Sequence, residues 1–209
     1  MTPMELIISH INVMGSFVFA ISGALVALRN KLDPFGVLIV AFITAVGGGT
    51  VRDILLAERD VFWLFDTHVL YAVMAGSFIA MTFRSKLHFF EKPIFFYDAI
   101  GLGLFTITGV QIGIDYHLNP LICILLGTVT GIFGGVFRDI IVNEIPVVFQ
   151  KEIYATACII GGALYLLLVH FETPNPYLQI IPIISIILIR VIAVTYNISL
   201  PNIYNKKND

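Results

Sequence analysis

Seven long apolar segments, separated by short polar connections, dominate the hydropathy pattern of the chain. Their approximate ranges are 5–27, 34–57, 67–83, 94–113, 120–143, 152–170 and 177–196. Each is close to the roughly 20 residues that an α-helix needs to cross a bilayer. Because the runs are continuous and do not alternate with polar residues, they predict helices and not barrel strands. The pairs Asp33-Pro34 and Asn119-Pro120 are typical of helix starts.

The composition agrees with an all-α integral membrane protein. Of the 209 residues, 58% are hydrophobic and 12% are charged, whereas soluble domains have about 25% charged residues. We therefore expect residues 1–209 to form a single transmembrane domain in the cell inner (plasma) membrane, surrounded by lipids. The net charge of −2 favours no nucleic-acid partner. Because enzyme motifs and metal-ligand spacings are missing from the sequence, we predict no enzyme, no metal site and no other cofactor.

An internal repeat divides the chain at an offset of 86 residues. The repeated positions include Pro34/Pro120, Thr44/Thr130, Gly48/Gly134, Gly49/Gly135, Arg52/Arg138 and Asp53/Asp139. This spacing predicts two three-helix repeats, residues 1–86 and 87–172, followed by a seventh helix in 173–209. The odd number of spans in each repeat inverts the second copy relative to the first. Lys and Arg residues concentrate in the connections on one side, which predicts an N-terminus outside the cytoplasm and a cytoplasmic C-terminus.

Each repeat has a glycine run near the middle of its second helix. The runs contain Gly47, Gly48 and Gly49 in the first copy, and Gly134 and Gly135 in the second. Since each glycine weakens a helix by about 1 kcal/mol, we predict a functional helix break near the bilayer midplane. Close helix packing through small residues is the alternative.

Arg52 and Arg138 are predicted to line or gate a polar path through the membrane. Adjacent helical residues point about 100° apart, so we do not expect Asp53 and Asp139 to face the arginine on their own helix. Partners are expected from crossed pairs between the repeats or from Ser22, Thr44, Tyr97, Asp98, Thr108 or Thr130. A buried ion-pair network that only fixes helix register is the alternative interpretation.

Matched hydroxyl groups occur at the same depth in the first and fourth helices. Ser22 and Thr108 provide these hydroxyls, and each is followed by a glycine. They are candidates for lining the path beside the glycine helices. Packing against those helices is the other interpretation of the same residues.

The doubled glycine and Arg-Asp motif, in seven predicted helices arranged as three, three and one, resembles the prokaryotic branch of the trimeric intracellular cation channels. The resemblance covers nearly the whole chain. It implies a homotrimer in which each protomer has its own potassium-selective pore, lined by the first, second, fourth and fifth helices and kinked at the glycines. With the matched threonines, the predicted pore and gate residues are Thr44, Gly47, Gly48, Gly49, Arg52, Asp53, Thr130, Gly134, Gly135, Arg138 and Asp139.

A monovalent cation channel, with potassium as the permeant ion, is therefore the first hypothesis. Because an arginine in the path repels cations, we expect Asp53 and Asp139 to compensate Arg52 and Arg138, directly or through a network. The alternative is a secondary transporter of glycine or another small amino acid, in which an arginine holds the substrate carboxylate. A purely structural membrane protein is the third hypothesis, and it predicts that Arg52→Gln with Arg138→Gln changes stability but neither flux.

Overall fold

The computed structural model describes residues 3–56, 59–83, 91–150 and 153–198. Its α-helices in these ranges are α1 (Pro3–Arg29), α2 (Pro34–Leu55), α3 (Phe62–Phe65), α4 (Thr67–Thr82), α5 (Glu91–Asp115), α6 (Pro120–Ile141), α7 (Ala155–His170) and α8 (Tyr177–Thr195). Each predicted apolar segment corresponds to one of these helices. The addition is α3, whose four residues are too few to produce a hydropathy period. The predicted repeat boundary at residue 86 lies outside the described residues.

Five of these helices, α1, α2, α5, α6 and α8, are long and apolar enough to cross a membrane. α4 and α7 have 16 residues each, which is about 24 Å at 1.5 Å per residue and short of the roughly 30 Å hydrocarbon core. The prediction of an all-α integral membrane protein is confirmed. The crossing of the membrane by all seven long helices stays a prediction.

The distribution of side chains suits a lipid environment. Large apolar side chains are exposed on the outside of the helices, including Phe35 at 70%, Phe78 at 67% and Leu188 at 53%. Polar and charged side chains such as Ser22 and Arg138 are buried inside. Because lipid tails cannot hydrogen-bond, polar groups in a membrane protein must find partners within the helix bundle.

The starts of α2 and α6 confirm the proline pattern. Asp33 Oδ1 accepts a hydrogen bond from the backbone N–H of Gly36 at 2.8 Å. Asn119 Oδ1 accepts from the N–H of Leu121 at 3.0 Å. The proline that follows each cap has no N–H to satisfy in the first turn. Both glycine-containing helices therefore begin at a defined residue.

α1, α2, α5 and α6, hereafter the central helices, form the middle of the molecule. α4 packs on α1 and α2, α7 packs on α5 and α6, and α8 packs on α5 and α7. At the centre, the rings of Phe19 from α1 and Phe105 from α5 stack with centroids 5.3 Å apart and an interplanar angle of 14°. These two residues are related by the 86-residue offset. The central helices therefore meet through equivalent positions of the two copies.

Candidate functional site

The glycine runs are the place where α2 and α6 cross. A Cβ atom built on Gly48 would overlap the carbonyl oxygen of Thr130, and one built on Gly134 would overlap the carbonyl oxygen of Thr44. Both helices are continuous through their glycines. The predicted helix break is therefore wrong, since the glycines remove side chains between two backbones in contact and the helical hydrogen bonds persist. A kink without a break stays a prediction.

Thr44 and Thr130 support the packing beside this crossing. Each hydroxyl is fully buried and donates to the carbonyl four residues earlier in its own helix, at 2.6 Å in both cases. A Cβ on Gly23 would lie 2.5 Å from Thr44 Oγ1, and one on Gly109 would lie 2.5 Å from Thr130 Oγ1. These contacts bring α1 close to α2 and α5 close to α6. A pore-lining role for the two threonines stays a prediction.

The α6 cluster consists of Arg138, Asp139, Asp98 and Ser22. Arg138 Nε donates to Asp139 Oδ1 at 2.8 Å. Arg138 Nη1 donates to Asp98 Oδ1 at 2.6 Å and to Ser22 Oγ at 2.9 Å. All four side chains are buried. A single guanidinium therefore connects α6 with α5 and α1.

The α2 cluster consists of Arg52, Asp53 and Arg59. Asp53 Oδ1 accepts from Arg52 Nε at 2.8 Å and from Arg59 Nε at 2.9 Å. The ring of Phe62 lies 5.5 Å from Arg52 Cζ. Nη1 and Nη2 of Arg52 are buried and have no hydrogen-bond partner among the described residues. The equivalent of Ser22 is Thr108, which donates within its own helix at 2.9 Å.

Both aspartates also hold the segment that follows their helix. Asp53 Oδ2 accepts from the backbone N–H of Phe62 at 2.9 Å. Asp139 Oδ2 accepts from the backbone N–H of Val147 at 3.1 Å. Each carboxylate thus joins an arginine to the chain eight or nine residues further on. The sequence contained a signal for such contacts, because an aspartate near a helix C-terminus is unfavourable to the helix dipole and needs a donor.

The predicted compensation of Arg52 and Arg138 by Asp53 and Asp139 is confirmed. The expectation that sequence neighbours cannot pair is wrong, because the long arginine side chain lets Nε reach around the helix to the adjacent carboxylate. Of the other expected partners, Ser22 and Asp98 bind an arginine, whereas Thr44, Thr108 and Thr130 donate to backbone carbonyls.

Arg29 and Glu144 join the C-terminal ends of α1 and α6. Arg29 Nη2 donates to Glu144 Oε1 at 2.7 Å, and Asn30 Nδ2 donates to the same oxygen at 3.1 Å. Burial raises the pKa of Glu144, but the hydrogen bonds from Asn30 and Arg29 outweigh it and lower the pKa below its ordinary value of 4.5. At neutral pH this end of the bundle therefore has an ionised carboxylate in contact with a guanidinium.

Sequence relatives identify the family. The family model described as glycine transporter matches the chain twice, over residues 9–85 and 95–170. A UPF0126 membrane protein of Vibrio cholerae is 40% identical over 194 residues, which cover 91% of this chain and 80% of that protein. The UPF0126 inner membrane protein YadS of Escherichia coli is 36% identical over 200 residues, which cover 94% and 96%.

A solved structure has the same fold over almost the whole chain. The crystal structure of a prokaryotic TRIC channel in 0.5 M KCl matches with a TM-score of 0.86 and 32% identity, covering 94% of this chain and 100% of that one. The chain belongs to the prokaryotic TRIC channel family. The resemblance carried by the doubled motif is thereby confirmed.

Membership of the TRIC family settles two further predictions. The relatives are membrane proteins, among them an inner membrane protein, and this chain has several helices that can cross a bilayer. It is a multi-pass inner membrane protein. The structural neighbours are cation channels and the sequence relatives are membrane proteins, so this family is one of membrane channel proteins and not of enzymes.

Proposed function

We propose that this TRIC family member is a monovalent cation channel, selective for potassium, that forms a homotrimer with one path in each protomer. The path runs between the central helices. The observation that carries the proposal is the presence of two Arg-Asp pairs, Arg52 with Asp53 and Arg138 with Asp139, buried among these four helices, in a chain similar to a TRIC channel over 94% of its length. Buried ionisable groups that face the interior of a helix bundle are typical of ion pathways.

The proposed architecture has seven crossings, in two inverted repeats of residues 1–86 and 87–172 followed by α8. Two observations support it. The glycine transporter model matches the chain twice, with starts 86 residues apart. The contact between Arg29 and Glu144 puts the C-terminal ends of α1 and α6 on one side, as inversion requires. Counting of Lys and Arg assigns that side to the cytoplasm, with the N-terminus on the opposite side.

Neutralisation of the arginines makes cation passage physically reasonable. Arg138 is bonded to two carboxylates, Asp98 and Asp139, and Arg52 is bonded to Asp53. Buried hydroxyl oxygens of the central helices can replace part of the hydration shell of a monovalent ion. We propose that the lining includes the matched hydroxyls of Ser22 and Thr108.

Single-channel recording tests the proposal. Purified protein is placed in planar bilayers with a KCl gradient, and we expect a current whose reversal potential lies close to the potassium equilibrium potential. Replacing potassium with sodium on one side measures the selectivity between the two ions. Protein-free bilayers treated with the same detergent serve as the control. A folded protein that passes no potassium current over a range of voltages would contradict the proposal.

A secondary transporter of glycine or another small amino acid is the second candidate. It is favoured by the description of the matching family model and by the unpartnered Nη1 and Nη2 of Arg52, which suit a carboxylate held by two hydrogen bonds. Uptake of labelled glycine into proteoliposomes distinguishes the two candidates. Saturable accumulation driven by an ion gradient, without conductance, would support the transporter and oppose the channel.

A further inference from the structure

The charged clusters differ at a pair of positions related by the 86-residue offset. Position 98 in α5 is an aspartate, and the equivalent position 12 in α1 is an asparagine. Both side chains are buried, with 4% exposure for Asp98 and 5% for Asn12. One half of the bundle therefore has a carboxylate where the other half has a neutral amide.

This difference, together with Arg59 beside Asp53, gives the two clusters opposite net charge. In the α6 cluster, the single positive charge of Arg138 meets the negative charges of Asp98 and Asp139, so the net charge is −1. In the α2 cluster, two arginines share the single carboxylate of Asp53, so the net charge is +1. The repeated Arg-Asp pair contributes zero in both halves. The sign is set by the residues that surround it.

Arg190 is a further cation near the α6 cluster, but it belongs to a different layer. It comes from α8, which packs on α5 and α7 and not within the four central helices. Its Nη1 donates to the carbonyl of Ile153 at 2.9 Å, and its Cζ lies 4.6 Å from the ring centre of Tyr154. Arg190 is thus buried against Phe95 of α5 and Tyr154 at the start of α7. The bonded neighbours of Arg138 in the described part of the chain are Ser22 and the two carboxylates.

The amide at position 12 does not replace the carboxylate. Asn12 Oδ1 is buried without a hydrogen-bond partner, and so are Nη1 and Nη2 of Arg52. In the other half, the equivalent atoms form the 2.6 Å contact between Asp98 and Arg138. The half that contains Arg52 therefore lacks a carboxylate at position 12, although Nη1 and Nη2 of Arg52 have no hydrogen-bond partner among the described residues.

We propose that Asp98 is a conductance-determining residue of the path, which makes the α6 end attractive to cations, while the α2 end, with Asn12 at the equivalent position and Arg59 beside Asp53, is repulsive. The proposal rests on the function as a cation channel. A fixed negative charge at one end of a narrow path raises the local cation concentration there, and a positive charge lowers it. Current is then larger when cations enter from the α6 end, which is the predicted cytoplasmic end.

Recording in symmetrical KCl at low ionic strength tests this proposal, because screening is weakest there. Wild-type channels are expected to rectify. Asp98→Asn should lower the conductance and Asn12→Asp should raise it, each by about twofold or more. The double variant makes both clusters neutral, so its currents at opposite voltages should be equal. If Asp98 and Asn12 only stabilised the fold, Asp98→Asn and Asn12→Asp would not change the conductance in opposite directions.

Two control variants and a stability measurement complete the test. Asp98→Glu keeps the charge and should retain rectification. Glu172→Gln removes an exposed carboxylate at the end of α7 and should leave the current ratio unchanged. Thermal unfolding in detergent should show a higher midpoint for Asn12→Asp, because the new carboxylate pairs with Arg52.

The failure of this inference differs from the failure of the channel proposal. If the wild-type protein conducts potassium and every variant keeps its conductance and current ratio, the role of Asp98 is wrong and the channel remains. If neither the wild-type protein nor any variant conducts, the channel proposal fails and the role of Asp98 in permeation fails with it. Rectification that persists in the double variant would also overturn the inference.

Discussion

The α2 and α6 clusters share one Arg-Asp motif and differ in the side chains bonded to it. Arg138 is bonded to side chains on three helices, whereas Arg52 is bonded to its neighbour Asp53 alone and has two nitrogens without a partner in the described chain. The difference comes from residues outside the motif, namely Asp98 and Ser22 beside Arg138 and Arg59 beside Asp53. A repeated motif thus defines the geometry of the Arg-Asp pair, and the flanking helices define its charge.

The features that the two halves share are those that hold the fold together. Both aspartates accept a hydrogen bond from the backbone of the following segment, at Phe62 and Val147. The glycine crossing between α2 and α6 is also equivalent in the two copies. The contacts that hold the helices together are therefore the same in both halves, whereas the charges around the two arginines differ.

The largest expected difference between the halves comes from removing each arginine. Arg138→Gln leaves Asp98 and Asp139 buried without their cation, which should cost about 3–5 kcal/mol of unfolding free energy. Arg52→Gln leaves Asp53 paired with Arg59, so about 1–2 kcal/mol is expected. Chemical unfolding in detergent measures both values. Equal losses would contradict the difference between the clusters.

Replacing the crossing glycine by alanine should destabilise the protein by a similar amount in both halves. Gly48→Ala and Gly134→Ala each place a methyl group against a backbone carbonyl, which should cost about 1–3 kcal/mol and reduce the yield of folded protein. Gly162→Ala is the matched control, since its Cβ would lie 3.3 Å from the nearest atom, a methyl group of Val110, and not against a backbone carbonyl. Full stability of either crossing variant would refute the backbone contact there.

A smaller asymmetry is expected from the matched hydroxyls. Ser22→Ala removes an acceptor from the Arg138 guanidinium and should cost about 1 kcal/mol or more. Thr108→Val, which keeps the side-chain shape, removes only a bond within α5 and should cost less than about 0.5 kcal/mol. The comparison is made by thermal unfolding of the two variants under identical conditions. A greater loss at Thr108 would indicate that it binds Arg52.

The smallest effect is a pH dependence at the cytoplasmic end proposed for the bundle. Because the pKa of Glu144 is lower in the folded protein, its pair with Arg29 stabilises the fold above pH 4.5 and loses this effect as pH falls through the lowered pKa. Glu144→Gln should therefore unfold at a slightly lower temperature than wild type at pH 7. The gap should close in acid, and a gap that is constant with pH would exclude the carboxylate as its source.

Local features of the fold could be predicted from the sequence. The seven apolar segments became helices, and the caps at Asp33 and Asn119 formed as expected, because hydropathy and capping depend on neighbouring residues. The short helix α3 was missed because four residues form a single turn. Its position depends on the contact between Asp53 and the backbone of Phe62.

Features that depend on distant neighbours were harder to predict. A glycine run weakens a helix and also allows two helices to pack closely. The close contact between the Thr130 carbonyl and Gly48 shows that these glycines serve helix packing. The partners of Arg138 were among the expected residues, but the sequence did not select Asp98 from them. Applying the offset to Asp98 points to Asn12 and could have revealed the unequal charge before the structure.

Carrying both copies in a single polypeptide has an evolutionary consequence. If the bundle were a homodimer of identical three-helix chains, symmetry would force the same residue into both copies of every position. A mutation that made one entrance acidic would make the other acidic as well. Joining the copies by a peptide connection frees each gene segment to change independently. The amide at position 12 and the carboxylate at position 98 are a difference that two identical chains could not have.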